Sequence, residues 1–472
     1  MIRFILTLLM ALSLPIAAQG QSFPKPPDVA TYVPVTPVWE AGSTVNVPVD
    51  PNVTPPPQAG LADIPSTITN QLDTGLDPND GGFKLTTADG GSGTEAKFRT
   101  HANCTKVAAT DPVRNFGQQN VSHLHAFFGN VQIDDWSTFA KLRTNRRSLA
   151  GGGDLNATGY WYPAIVKGAY ALKCKYVVIY YKVLPSEGRT TVVIPNGLQY
   201  VSGADMDDPN KEWLRTHIAA ANAQPGTTGR YFLANTLTGA QSNDFEWTCI
   251  ATGPGNTGGE SHKYLKNADG SDPWGGRCVA GDDMALKTLA SNCWDGVNLW
   301  SPGGYKHVIQ AIWDTQVSKF VCPKNYYRMA ELDLAIWFEH DGFSDYGNWR
   351  LSSDDMWQAK WTAVGSPRTV LNGESAHFDW KGAWAAYAFG ASTGWQKNCI
   401  GAQNGTPHEC NDGRINGTEA LKRGGTVTVF GSSQTRTPQV DLSSTAGFSS
   451  PNGRFPIPAN PNGPATIHVH GN

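Results

Sequence analysis

The sequence predicts a mainly β fold. We expect a sandwich-like, disulfide-stapled core with long loops and few helices, a Pro-rich arm in front and a Gly/Ser/Pro-rich tail behind. Three observations carry this. Gly (51) and Pro (31) are abundant, while charged residues make up only 16% of the chain, against roughly 25% in an ordinary soluble domain. Short β-branched and aromatic runs recur between turn pairs such as Asp-Gly and Asn-Gly. Eight cysteines, Cys104, Cys174, Cys249, Cys278, Cys293, Cys322, Cys399 and Cys410, spread over one stretch and outline what they staple. The same composition excludes a coiled coil or helical repeat, which is rich in Ala, Glu, Lys and Leu. A formal net charge of -3 leaves no basic surplus for a phosphate backbone, so nucleic acid is not an expected partner.

Read from the start, Arg3 precedes an apolar run from Phe4 to Ala18 and then small residues, the layout of a secretory leader over residues 1–20. No later segment reaches the roughly 18 apolar residues of a spanning helix. The expected product is a secreted or periplasmic chain without a membrane span. In such a compartment the cysteines are expected to form up to four disulfides, with Cys399–Cys410 as the short-loop candidate. Residues 21–94 read as a Pro/Gly-rich extended segment, 95–410 as the core, and 411–472 as a C-terminal appendage.

Within the core, Tyr176 to Leu184 is a continuous strand-like run, with Thr190 to Ile194 as its hairpin partner. His307 to Trp313 reads as another buried strand. Glu331 to Phe338 alternates, placing Leu332, Leu334, Ile336 and Phe338 on one face. Asn210 to Ala223 has the one helical pattern, with Leu214 and Ile218 on a shared side. Beyond the core, Thr426 to Phe430 is a strand candidate.

An ordered set of blocks runs through this core. Asp111-Pro112-Val113 leads to Ser122-His123-Leu124-His125-Ala126-Phe127-Phe128-Gly129-Asn130. Tyr160-Trp161-Tyr162-Pro163 follows, then Cys293-Trp294-Asp295-Gly296 with Ser301-Pro302 and His307. Cys322-Pro323 and His377-Phe378-Asp379-Trp380 close the series. Together, over roughly residues 95–402, these blocks resemble the domain of unknown function family DUF1996. The resemblance implies a secreted protein, in fungi often joined to carbohydrate-binding modules, and it supplies no mechanism. One departure is local. Where the family often has a close cysteine pair, this chain has Arg146-Arg147-Ser148 and a glycine run, so that disulfide is not expected here.

Chemistry is therefore read from residues. On a strand, His123 and His125 point to the same face, so both imidazoles can meet one metal ion. His307, or His377 with Asp379, offers a third ligand, and such a set suits a divalent metal such as zinc or copper. Metal-free alternatives remain open at this point: His125 or His377 beside Asp379 makes a base-and-orienter pair, and paired carboxylates such as Glu331 with Asp333 or Glu374 with Asp379 make a glycosidase-type route. Gly390 to Gly394 matches a nucleophile-elbow string in an unsuitable β-like context. Asp205, Asp207 and Asp208 form an irregular calcium candidate. Tyr160, Trp161, Trp294, Asp295 and Trp380 are read as sugar-binding positions, because aromatic rings stack on apolar sugar faces and carboxylates hold hydroxyls.

The functional expectation is a secreted carbohydrate-active enzyme that cleaves a polysaccharide or glycoconjugate by hydrolysis or elimination, with metal assistance. His125, His377 and Asp379 are the expected catalytic residues and His123, His125 and His307 the expected metal ligands. The alternative is a non-catalytic carbohydrate-binding or cell-surface structural protein.

Overall fold

The computed structural model of the protein describes residues 23–39, 96–145, 148, 150, 156–168, 170–183, 194–195, 197–233, 245–250, 261–279, 282–339 and 346–384. It also describes the short stretches 409–411, 426–429, 432–435, 454–456 and 466–468. The fold is mainly β.

Twelve strands among the described residues form the principal sheet, and nine of them build its main path: β1 (Ala96–Ala108), β2 (His125–Gly129), β3 (Gly159–Pro163), β4 (Cys174–Val183), β5 (Gln199–Gly203), β6 (Glu246–Ile250), β7 (Asp283–Leu289), β8 (Glu331–Glu339) and β9 (His377–Lys381); Ser261–His262 pairs with β6, and Glu409–Asn411 and Thr466–His468 pair with β1. The order of the nine is β6-β7-β8-β4-β1-β2-β3-β9-β5, antiparallel along this path.

β1 joins two halves. Ala96 to Asn103 pairs with β4, whereas Cys104 to Ala108 pairs with β2, and the β2 register shifts between Cys104 and Lys106. A bulge of this kind bends the strand that carries it. The bend is visible in side chains. The Tyr181 hydroxyl on β4 lies 2.9 Å from that of Tyr160 on β3, three strands away. A flat sheet would hold those strands about 14 Å apart. The sheet therefore curls until its halves face each other.

Between the halves lies the core. From one side come Val177, Ile179, Tyr181, Leu332, Leu334, Ile336 and Phe338, all buried. The alternation read from Glu331 to Phe338 is thus the inward face of β8. From the other side come Phe128, Tyr160, Tyr162, Tyr200, Phe378 and Trp380, with Tyr162–Phe378 and Tyr200–Trp380 ring centroids 5.3 and 5.5 Å apart.

Three disulfides staple the described residues: Cys104–Cys174, Cys249–Cys278 and Cys293–Cys322. The first ties the bulge of β1 to the start of β4. The proposed Cys399–Cys410 pair involves Cys399, outside the described residues, as do Thr190 to Val193, the Gly390 to Gly394 string and the leader. β4 takes β1 and β8 as its partners. The stretch from His307 holds two short strands, Val308–Ile309 and Ile312–Asp314.

Three α-helices are present among the described residues: α1 (Phe139–Asn145), α2 (Glu212–Asn222) and α3 (Asp354–Ala363). α2 is the anticipated one and buries Leu214, Ile218 and Ala221. The other two were not expected. Among the described residues no helix is long and apolar enough to cross a membrane.

Residues 23–39 of the N-terminal arm lie on the core. Val33 donates its N–H to Asn298 Oδ1 (2.9 Å) and accepts from Asn298 Nδ2 (2.8 Å). Val38 N–H donates to Asn325 Oδ1, the Tyr326 hydroxyl donates to the Val35 carbonyl, and Trp39 packs on Tyr231. Short pieces of the tail also pair with the core: Thr466–His468 with β1, and Arg454–Pro456 with Tyr170–Leu172. Thr426–Val429 is a strand, in a hairpin with Ser432–Thr435.

Candidate functional site

Alternation sorts the second half of the sheet into two faces. Cross-strand register places His125 opposite Pro163, Asp379 opposite Trp161 and Val201, and His377 opposite Gly203. His125, His377 and Asp379 thus share the outward face, while their neighbours Ala126, Phe378 and Trp380 fill the core. Glycine at 203 (φ +107°) is required for this approach. A Cβ there would stand 2.6 Å from the Ala376 carbonyl and 2.8 Å from His377 Cα.

His123 precedes the strand rather than lying on it, yet its ring centroid is 4.2 Å from that of His125 and 5.0 Å from that of His377. Ligand atoms of the three imidazoles all lie within 4.8 Å of one another. Asp379 Oδ2 stands 3.9 Å from His125 Nε2 and 3.7 Å from His377 Nε2, beyond hydrogen-bond reach. His125, His377 and Asp379 are buried, and His123 is part-exposed.

The tautomers follow from the partners. His125 Nδ1 is 2.9 Å from the Thr110 carbonyl, and His377 Nδ1 is 2.8 Å from the Ser375 carbonyl. A carbonyl only accepts, so each Nδ1 carries the proton and each Nε2 presents a bare lone pair. Five buried polar atoms then lack a partner here: Nε2 of His123, His125 and His377, and both Asp379 oxygens. Each such atom costs on the order of 1–3 kcal/mol. Acceptors facing acceptors require a cation or a donor between them. An imidazole anchored through Nδ1–H to a backbone carbonyl, with Nε2 free, is the arrangement in which histidine ligates metals.

Charge agrees with this. Burial, with the neighbouring imidazoles, holds His123 and His125 well below the usual histidine range, and burial holds His377 down to about 3. All three are neutral and able to ligate. Burial, reinforced by Asp111, pushes the Asp379 carboxyl well above its usual range, while Arg114 opposes this. A cation seated there would oppose this rise and favour the carboxylate.

Support comes from loops. Arg114 Nη2 donates to Asp207 Oδ1 (3.0 Å) and Nη1 to the Gly303 carbonyl (3.3 Å), tying the loop before His123 to the loop after Ser301. Asp354, at the start of α3, accepts from Ser375 N (3.1 Å) and Ser375 Oγ (2.6 Å), fixing the residue that orients His377. Nothing in the spacing of Thr110, Ser375 or Asp354 marks them beforehand, since two act through backbone carbonyls.

Several sequence expectations are corrected. His307 does not join the group: both its nitrogens are engaged, Nε2 with the Gln199 carbonyl (3.0 Å) and Nδ1 with Ser301 Oγ (2.8 Å). It is a satisfied structural histidine. Tyr160, Trp161, Trp294 and Trp380 are fully buried, leaving no ring face for a sugar. Trp161 stacks on Phe127, and Trp294 donates Nε1–H to the Asn298 carbonyl. Asp295 is buried and fixes a turn by accepting from Val297 N, Asn298 N and Asn298 Nδ2. Asp208 accepts from Glu212 N and Trp213 N at the start of α2, Asp205 accepts from Asp207 N and Asp208 N, and Asp207 pairs with Arg114, so the calcium candidate's carboxylates are engaged by the backbone and an arginine. Asp333 pairs with Lys182 and Glu374 with Arg368, which occupies those carboxylates in ion pairs.

A family model, Domain of unknown function (DUF1996), matches residues 111–384, more than half of the chain. The chain belongs to the DUF1996 family. Both the His123/His125 loop and the His377/Asp379 strand lie inside the matched region. No curated protein matches this DUF1996 member, and no solved structure matches it.

Proposed function

We propose that this protein is a metal-assisted enzyme that cleaves a polysaccharide or glycoconjugate by hydrolysis or elimination. The observation that carries the reading is the convergence of three Nε2 atoms, those of His125 and His377 unprotonated, and the Asp379 carboxyl group, all unpartnered. Neutral imidazoles with one carboxylate suit zinc, copper or non-haem iron. A divalent ion held there supplies Lewis acidity or an activated water. The chain's own part is to hold the ligands rigidly through Thr110 and Ser375 and to exclude bulk water. His123, the part-exposed member, is where a substrate approaches. The glycan as substrate class rests on the leader-like start, the disulfides and the low net charge.

A second reading has one observation in its favour. Four donors can close a tetrahedral shell, which is the habit of structural zinc. The test separates the two. Purified protein is analysed for metal, alongside His125→Ala and His377→Ala, and screened on plant, fungal and bacterial glycans for product release. Stoichiometric metal in the wild type only, with product release abolished by chelator and restored by metal, is the expected result. Metal retained without any product favours the structural reading. A metal-free wild type that stays inactive when metal is added overturns the proposal.

A further inference from the structure

Trp136 is the most exposed aromatic side chain among the described residues, at 54%. Isolated surface hydrophobics are ordinary and need no explanation. This one is mounted. Its six-membered ring rests against Gly117 (φ +73°), where a Cβ would stand 2.9 Å from Cζ3, and Phe116 meets it at 79° with centroids 5.9 Å apart. The backbone beneath is pinned as well. Asp134 Oδ1 accepts from Trp136 N–H and from Ser137 Oγ, Ser137 Oγ accepts from Asp134 N–H, and Gly117 N–H donates to the Asp135 carbonyl (2.7 Å). The ring is held in place before any ligand arrives, so little freedom remains to be lost on binding.

Its position connects it to the site. Phe116 and Gly117 belong to the loop that carries Arg114 on one side and His123 on the other. The Phe116 ring also lies 5.8 Å from Lys381 Nζ, two residues beyond Asp379 on the same outward face. Beside Trp136, Asp134 and Lys141 form a half-exposed ion pair at 2.5 Å, a charged acceptor and donor at the edge of an apolar ring.

We infer that Trp136 is a carbohydrate platform: one pyranose of a polysaccharide stacks its C–H face on the indole while Asp134 and Lys141 hold its hydroxyls, and the chain leads past Phe116 toward the histidines. This rests on the proposed glycan reading and names a contact for it. It also replaces the buried tryptophans as the aromatic contribution to substrate binding.

The test uses the full mature protein, Trp136→Ala and Trp136→Tyr, in affinity electrophoresis and pull-down with cellulose, chitin, β-glucan and xylan. Metal content and melting temperature are measured on all three. The platform predicts that Trp136→Ala weakens retention by about tenfold or more, roughly 1.4 kcal/mol, and that Trp136→Tyr keeps most of it. Retention of Trp136→Ala equal to wild type overturns the platform and leaves the cleavage reading standing. A wild type retained by no polysaccharide also overturns it, and product release from soluble oligosaccharides in parallel shows whether the cleavage reading falls too.

Discussion

On β9, residues one apart in sequence live in opposite surroundings. Phe378 and Trp380 point into the space between the two half-sheets, among Tyr160, Tyr162 and Tyr200. His377 and Asp379 point outward, beneath loops, among unpartnered nitrogens and oxygens. Both faces are buried, and both hold unpartnered polar atoms, but those of Trp380, Tyr162 and Tyr200 sit singly on aromatic rings, whereas the outward face gathers three imidazoles around one point. Burial alone therefore does not mark a core; convergence of unpartnered ligand atoms marks a site.

The largest expected effect comes from the aromatic face. Trp380→Ala should cost about 3–5 kcal/mol, as aromatic truncations in cores do, and is read as a lost or much lowered denaturation midpoint. The outward face should respond to solution conditions instead. Chelation of purified protein should lower stability by about 3–4 kcal/mol relative to protein with metal at 100 to 1,000 times its Kd, and His125→Ala should remove that difference. If chelator shifts the melting of wild type and His125→Ala equally, the contrast between the faces fails.

His307 separates a structural imidazole from the clustered ones. In the folded chain burial holds its pKa down to about 3, whereas an unfolded histidine protonates near 6.5. Between those values the unfolded state binds the extra proton, so stability falls as pH drops through the window, by up to about 1.4 kcal/mol per pH unit. His307→Gln should flatten that slope in denaturant titrations taken from about pH 7 to pH 4, with metal content unchanged. Smallest of all, Trp136→Ala should leave stability within about 0.5 kcal/mol, since more than half of its surface is exposed and its packing is confined to the Phe116–Gly117 turn. A larger drop in melting temperature would recast it as a core residue.

Much of this architecture is legible from pattern. The alternation from Glu331 to Phe338 reports an inward face, and the i, i+2 spacing of His377 and Asp379 reports a shared one. α3 also had a readable opening, Ser353 followed by Asp354 and Asp355 with Lys360 in the last turn. What spacing could not report is where hydrogen bonds go. His307 looks like His125 until the Gln199 carbonyl and Ser301 hydroxyl are in view. Residue type likewise fails for the tryptophans, because the same ring suits a core or a sugar. Tertiary packing decides which: Trp380 lies between the half-sheets, Trp161 stacks on Phe127 on the outward face, and Trp294 lies in a separate small sheet.

The arm over residues 23–39 has a consequence for how the molecule is made. Its partners Asn298, Asn325 and Tyr326 lie 265 to 291 positions downstream. A ribosome adding about 5–20 residues per second takes roughly 15–60 s to cover that distance. Throughout that interval Val33 and Val38 lack their asparagine partners, although Asp28 and Trp39 meet Phe139 and Tyr231 sooner. Closure of Val33 onto Asn298 is then a late, vectorially ordered event, and a nascent chain stalled before residue 298 would leave Val33 and Val38 open to chaperones.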